Sequence, residues 1–110
     1  MTVRQEKVAS AIRQIVAREM LALRDPRLKL ITITEVKVSG DLSHARIFWL
    51  PYDDSEAKDA GAALNSAAGH FRSLIGREMR LRAVPEVQFL YDETERKANR
   101  IESLLDGLKK

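Results

Sequence analysis

"LNSAAGHFRSLIGREMRLR", residues 64–82, is the stretch whose reading decides the fold. Leu64, Ala67, Ala68, Phe71, Leu74 and Ile75 recur at the three-and-four spacing of a helix with one apolar face. Ala57 and Ala60 extend that spacing backwards, with Ser55 as the expected N-cap and Glu56 and Asp59 complementing the helix dipole. Two glycines interrupt the pattern. Each costs about 1 kcal/mol against alanine in a helix interior. At "AAG" (67–69) a bend or a close backbone approach would account for the loss, and at Gly76 tight packing on a sheet would.

Strand patterns flank this helix. "EVQFLY" (86–91) follows Pro85 and alternates, with Val87, Phe89 and Tyr91 on one face. "HARIFWL" (44–50) places Ala45, Ile47 and Trp49 together, opposite His44, Arg46, Phe48 and Leu50. "LITITEVKV" (30–38) is rich in β-branched residues, but its alternation changes phase. Ile31 and Ile33 share one phase and Val36 and Val38 the other, which predicts a bulge near Thr34–Glu35. "SGDLS" between these strands predicts an antiparallel hairpin, with Gly40 free to take positive φ.

Residues 3–23 read as an amphipathic helix whose stripe is Val8, Ile12, Ile15, Val16, Met20 and Leu23. Glu19 falls inside that stripe and therefore needs a partner or a wet edge. Arg4, Lys7 and Arg18 lie on one flank, and Arg13 and Arg24 on the other. Pro26 stops the helix near Arg24 and opens the basic turn "RDPRLK". At the far end, Asp92 and Glu95 resemble a capping pair before the apolar positions Ala98, Ile101, Leu104, Leu105 and Leu108. The reading is thus a domain over 1–91 and a C-terminal amphipathic helix or mobile tail over 92–110.

The crossover through the long helix makes the second and third strands parallel. The predicted architecture is α+β, a three-stranded mixed sheet with helices on one face. Its other face, with Phe48, Leu50 and Leu90, has no evident cover except the tail helix or a partner, which leaves a protein-interaction role open unless the tail helix covers it.

The 110 residues suit one domain, and the absence of cysteine excludes disulfides and thiolate metal sites. No apolar run approaches the roughly 20 residues of a membrane span. "MTVRQEKVAS" lacks the apolar centre of a secretory signal, so the expected location is the cytoplasm. His44 and His70 carry no metal-ligand spacing, and no phosphate-binding glycine motif or nucleophile motif is present. No enzymatic activity, cofactor or metal is expected.

The net charge is +3, unevenly spread. Residues 1–29 hold seven Lys/Arg against three Asp/Glu, and Arg77, Arg80 and Arg82 form a second knot. Clustered positive charge fits a polyanionic partner. Ser66, His70, Ser73, Arg77 and Arg80 step along one helix face, with Asn65 and Arg72 beside it. Hydroxyls and amides among arginines suit phosphate and sugar contacts.

Several ordered motifs carry a resemblance over nearly the whole chain: "DPRL", "VSGDLSHARIF", "LNSAAGHFRSLIGREMRLRAVPEVQFLYDET" and "ANRIESLL". Together they resemble the bacterial ribosome-binding factor A family, whose fold is type II KH-like: helix-strand-strand-helix-kink-helix-strand. In that family an interhelical AxG kink replaces the GxxG loop of RNA-binding KH domains; here it corresponds to Ala67, Ala68 and Gly69. The resemblance implies a monomeric, non-catalytic factor that binds the small (30S) ribosomal subunit and prefers the precursor form of its 16S rRNA. It further implies a part in late maturation, in 5′-end processing of that rRNA and in growth in the cold. The expected RNA contacts are Arg24, Arg27, Lys29, Asn65, Ser66, His70, Arg72, Ser73, Arg77, Arg80 and Arg82. A generic KH-like single-strand RNA-binding protein is the alternative, though GxxG is missing.

Overall fold

The computed structural model describes residues 2–28 and 30–94. Helix α1 spans Val3–Ala22, strand β1 Thr32–Val38, strand β2 His44–Leu50, helix α2 Ala57–Met79 and strand β3 Glu86–Tyr91. The sheet order is β1-β2-β3, with β1 antiparallel and β3 parallel to β2. This is the predicted α+β arrangement. The tail helix expected beyond Asp92 lies, from residue 95 on, outside the described residues.

α1 starts at a reciprocal cap. The Thr2 hydroxyl accepts from the Gln5 N–H at 3.1 Å and the Gln5 side chain accepts from the Thr2 N–H at 2.9 Å. The Gln5 amide also donates to the Val38 carbonyl at 2.9 Å, tying the helix start to the end of β1. The chain leaves the helix before Pro26, as the proline requires.

The phase change in β1 is resolved by a bulge. Ile33 pairs with Trp49 and Glu35 with Phe48, so Thr34 is the extra residue. Ile33, Val36 and Val38 are consequently all buried. The Thr34 hydroxyl donates to Asp92 at 2.6 Å, and this bond lowers the Asp92 pKa. In the hairpin the left-handed residue is Leu42 (φ 61°), not Gly40. The Leu42 N–H donates to the Ser39 carbonyl at 2.9 Å, and half-buried Leu42 packs on the core, which holds it in that conformation. Asp41 accepts from the Ser39 and Ser43 hydroxyls and the Ser43 N–H, bonds that hold its pKa down at about 2.

Two further expectations are corrected. Glu56 stands at the N-cap of α2 without a side-chain cap bond, and the side-chain cap belongs to the short 3₁₀ turn Asp54–Glu56 before it, where Asp53 accepts from the Ser55 N–H at 2.9 Å. Ser55 therefore receives the cap instead of supplying it. Nor is the chain divided at Ala67-Ala68-Gly69: α2 runs unbroken from Ala57 to Met79. None of the described glycines has positive φ, and no proline lies inside the helix.

The core lies between the helices and one sheet face. Ile12, Val16, Ile47, Leu64, Phe71 and Ile75 are fully buried. Phe71 meets Phe89 edge-on at 5.3 Å between ring centres, joining α2 to β3.

Candidate nucleic-acid interface

The buried side of α2 is Ala60, Ala63, Leu64, Phe71 and Ile75. Its opposite side exposes Asn65, Ser66, Gly69, Ser73, Arg77 and Arg80. The two glycines differ in kind. A Cβ on Gly76 would stand 2.7 Å from a Val84 methyl, so a side chain there would have to displace Val84 in the segment before β3. A Cβ on Gly69 would meet nothing within 4 Å. Gly69 thus leaves bare backbone on the exposed face, and no neighbour in the described fold demands it.

The arginines divide similarly. Arg24, Arg77, Arg80 and Arg82 are exposed and have no hydrogen-bond or ion-pair partner among the described residues. Arg80 ends α2 in the left-handed conformation (φ 51°), a position usually taken by glycine. Arg27 is engaged: its side chain donates twice to Asp25, at 2.8 and 3.1 Å, which lowers the Asp25 pKa and raises its own. Arg72 turns from the exposed face toward β3, donating to the Val84 carbonyl at 3.2 Å and standing 3.6 Å from Glu86. Lys29 lies outside the described residues.

His70 sits at the seam between the helices. Its Nε2 is 3.5 Å from the Glu19 carboxylate, and its ring meets Phe71 edge-on. That contact answers why Glu19 interrupts the apolar stripe of α1: the acid has a partner on α2. Arg18 and Glu78 form a second, bidentate link between the helices. Their separation along the chain gave no local signal of it. Of the expected contact residues, the structure therefore groups Asn65, Ser66, Ser73, Arg77 and Arg80 around Gly69. His70 stands at that group's edge, and Arg27 and Arg72 are already paired.

Among the described residues no cluster of His, Asp and Glu could hold a metal ion, and no helix is long and apolar enough to cross a membrane.

A family model described as ribosome-binding factor A matches residues 4–105. The chain belongs to the ribosome-binding factor A family. A ribosome-binding factor A of Clavibacter michiganensis subsp. michiganensis is 42% identical over 105 residues, covering 94% of this chain and 63% of the relative. One from Geobacter metallireducens is 43% identical over 104 residues, covering 93% and 88%. The chain thus spans less than two thirds of the length of the Clavibacter michiganensis relative. The crystal structure of ribosome-binding factor A from Thermus thermophilus has a TM-score of 0.71 at 28% identity, covering 79% of this chain and 94% of that one. A Thermus thermophilus homology model fitted into the cryo-EM map of a 30S complex has a TM-score of 0.66 at 29% identity, covering 77% and 91%. Over the described residues this chain therefore shares the fold of these ribosome-binding factor A structures.

Proposed function

We propose that this protein is a non-catalytic assembly factor that binds the small ribosomal subunit and contacts 16S rRNA through the exposed face of α2. Family membership supports the class of partner. The observation that carries the surface is Gly69, whose open surroundings give the fold no reason to exclude a side chain there. A ribose-phosphate backbone can approach such a helix more closely than it could one bearing side chains. Arg77 and Arg80 supply charge, Asn65, Ser66 and Ser73 supply uncharged hydrogen-bonding groups, and Arg24 extends the basic surface at the end of α1. His70 adds a contact where the two helices meet. The factor acts as a cytoplasmic monomer, prefers the precursor subunit and assists late maturation, 5′-end processing of 16S rRNA and growth in the cold.

Co-sedimentation with precursor and mature small subunits tests this reading. Binding is expected to be stronger to the precursor and to fall steeply with salt, because each phosphate contact releases counterions. Failure to pellet with either subunit at low salt contradicts it.

A further inference from the structure

The β1–β2 turn stands between two clefts. The larger, about 490 Å³, lies between the first turns of α1, the hairpin and the segment preceding β3. Val8, Leu81 and Pro85 supply apolar lining, and Arg4, Arg72 and Arg82 line it too. The smaller, about 310 Å³, is lined by Lys37, Ser39 and Arg46. His44 lines both, its Nδ1 held 2.8 Å from the Ser43 hydroxyl.

Charge at this end of the domain is poorly compensated. Lys37 and Arg46 are direct cross-strand partners, an arrangement that opposes sheet formation. Lys37 leans over the Phe48 ring, 5.5 Å from its centre, and its charge makes a minor contribution to lowering the Asp92 pKa, behind the hydrogen bonds from Thr34 and Thr94. On the other side of Arg46 stands Gln88, not an acid. Arg4, Arg46 and Arg82 have no hydrogen-bond or ion-pair partner among the described residues. Two acids line the larger cleft, Asp41, which the serines of the turn engage, and Glu86, which Arg72 engages, while Glu35 shares the exposed face of β1 with Lys37. The described fold thus keeps a like-charge cross-strand pair, and Arg4, Arg46 and Arg82 form no ion pair within it.

We propose that this hairpin end is a second RNA site, which takes a short single-stranded segment across His44. One base enters the larger cleft against its apolar lining. The adjoining phosphates lie on Arg4 and Arg82 to one side of His44 and on Lys37 and Arg46 to the other. A cleft of several hundred Å³ is of the size that admits a small ligand. Apolar lining beside basic groups suits a base joined to its phosphate. An acidic side chain would bring the charge without a flat apolar surface. The site rests on the RNA-binding reading above but uses residues separate from the exposed face of α2.

The test is fluorescence anisotropy of labelled hexauridylate with the full chain. The wild type is expected to bind with salt-dependent affinity. Arg4→Gln with Arg82→Gln, and separately Lys37→Gln with Arg46→Gln, should each weaken binding about tenfold and reduce the salt slope by roughly 1.4, the single-strand value for two lost phosphate contacts. All four side chains are exposed, and the Lys37–Arg46 pair opposes sheet formation, so neither variant should melt below the wild type. Arg77→Gln with Arg80→Gln should weaken subunit pelleting and cost hexauridylate affinity less than either hairpin pair does, which separates the two surfaces. The proposal is overturned if the wild type does not bind hexauridylate, if either hairpin variant binds it as the wild type does, or if polyglutamate of equal length displaces it as well as unlabelled hexauridylate. Loss of wild-type subunit pelleting alone overturns the α2 reading and not this one.

Discussion

Gly69 and Gly76 lie two turns apart in one helix, and their surroundings explain them in opposite ways. At Gly76 the absent side chain makes room for Val84, so the residue belongs to the packing of α2 against the segment leading into β3. At Gly69 the absent side chain makes room for nothing within the described fold. Both carry the same helix-propensity cost, and only one recovers it internally. A cost that folding does not recover locates a surface where something outside the fold comes close.

The largest effect on stability is expected at Gly76. A leucine there drives several atoms into a β-branched neighbour with little freedom to move, and should destabilise the domain by about 3 kcal/mol in urea titration. Gly76→Ala is milder. The clash with Val84 outweighs the gain in helix propensity, for a net loss of about 1 kcal/mol. Adding Val84→Ala should relieve that clash and reveal a coupling of at least roughly 0.5 kcal/mol in a double-mutant cycle. If the two substitutions add without coupling, Val84 is not the reason for Gly76.

Gly69→Ala should move stability the other way, by about 0.5–1 kcal/mol, since the site has helical backbone and open space. A lower melting temperature for this variant would mean that Gly69 serves the fold and would erase the contrast.

The smallest effect concerns the hairpin beside the second proposed site. Asp41 has a folded pKa of about 2, below its ordinary 3.8, because serine hydroxyls and the Ser43 N–H bond the ionised form. Its contribution to stability is therefore full above pH about 4 and is lost as pH falls through about 2. Asp41→Asn should lose less stability than the wild type between pH 5 and pH 2, as read by thermal melts. Equal losses would show that the turn does not discriminate between the two protonation states.

Much of this was legible in the sequence where a pattern had a single physical meaning. The phase flip between Ile33 and Val36 required an extra residue, and the bulge is there. β2 and β3 begin and end where their alternation does. Glu19 in an apolar stripe called for a partner or a wet edge, and which of the two, with His70 as the partner, could not be read from spacing. Other features depended on distant residues and left no local trace. Gly76 could be assigned to packing, but Val84 could not be named from spacing. The expected division of α2 at Gly69 followed from family resemblance, whereas the helix there has neither positive φ nor a proline to break it. Arg27 and Arg72 counted as free charges in the sequence. One is held by an acid two residues before it, the other by the carbonyl of Val84. The hairpin cluster escaped notice because Arg4, Arg46 and Arg82 come from three separate parts of the chain. Strand register alone, setting Lys37 opposite Arg46, would have exposed half of it.

The most direct test of the α2 surface is a side chain placed where the fold has room for one. Gly69→Leu should fold at least as stably as the wild type, since leucine is a strong helix former and the position is open. Its affinity for precursor small subunits, measured by co-sedimentation over a range of salt concentrations, should fall about tenfold or more, equivalent to about 1.4 kcal/mol. Undiminished binding by a well-folded Gly69→Leu protein would contradict the assignment of this face to RNA.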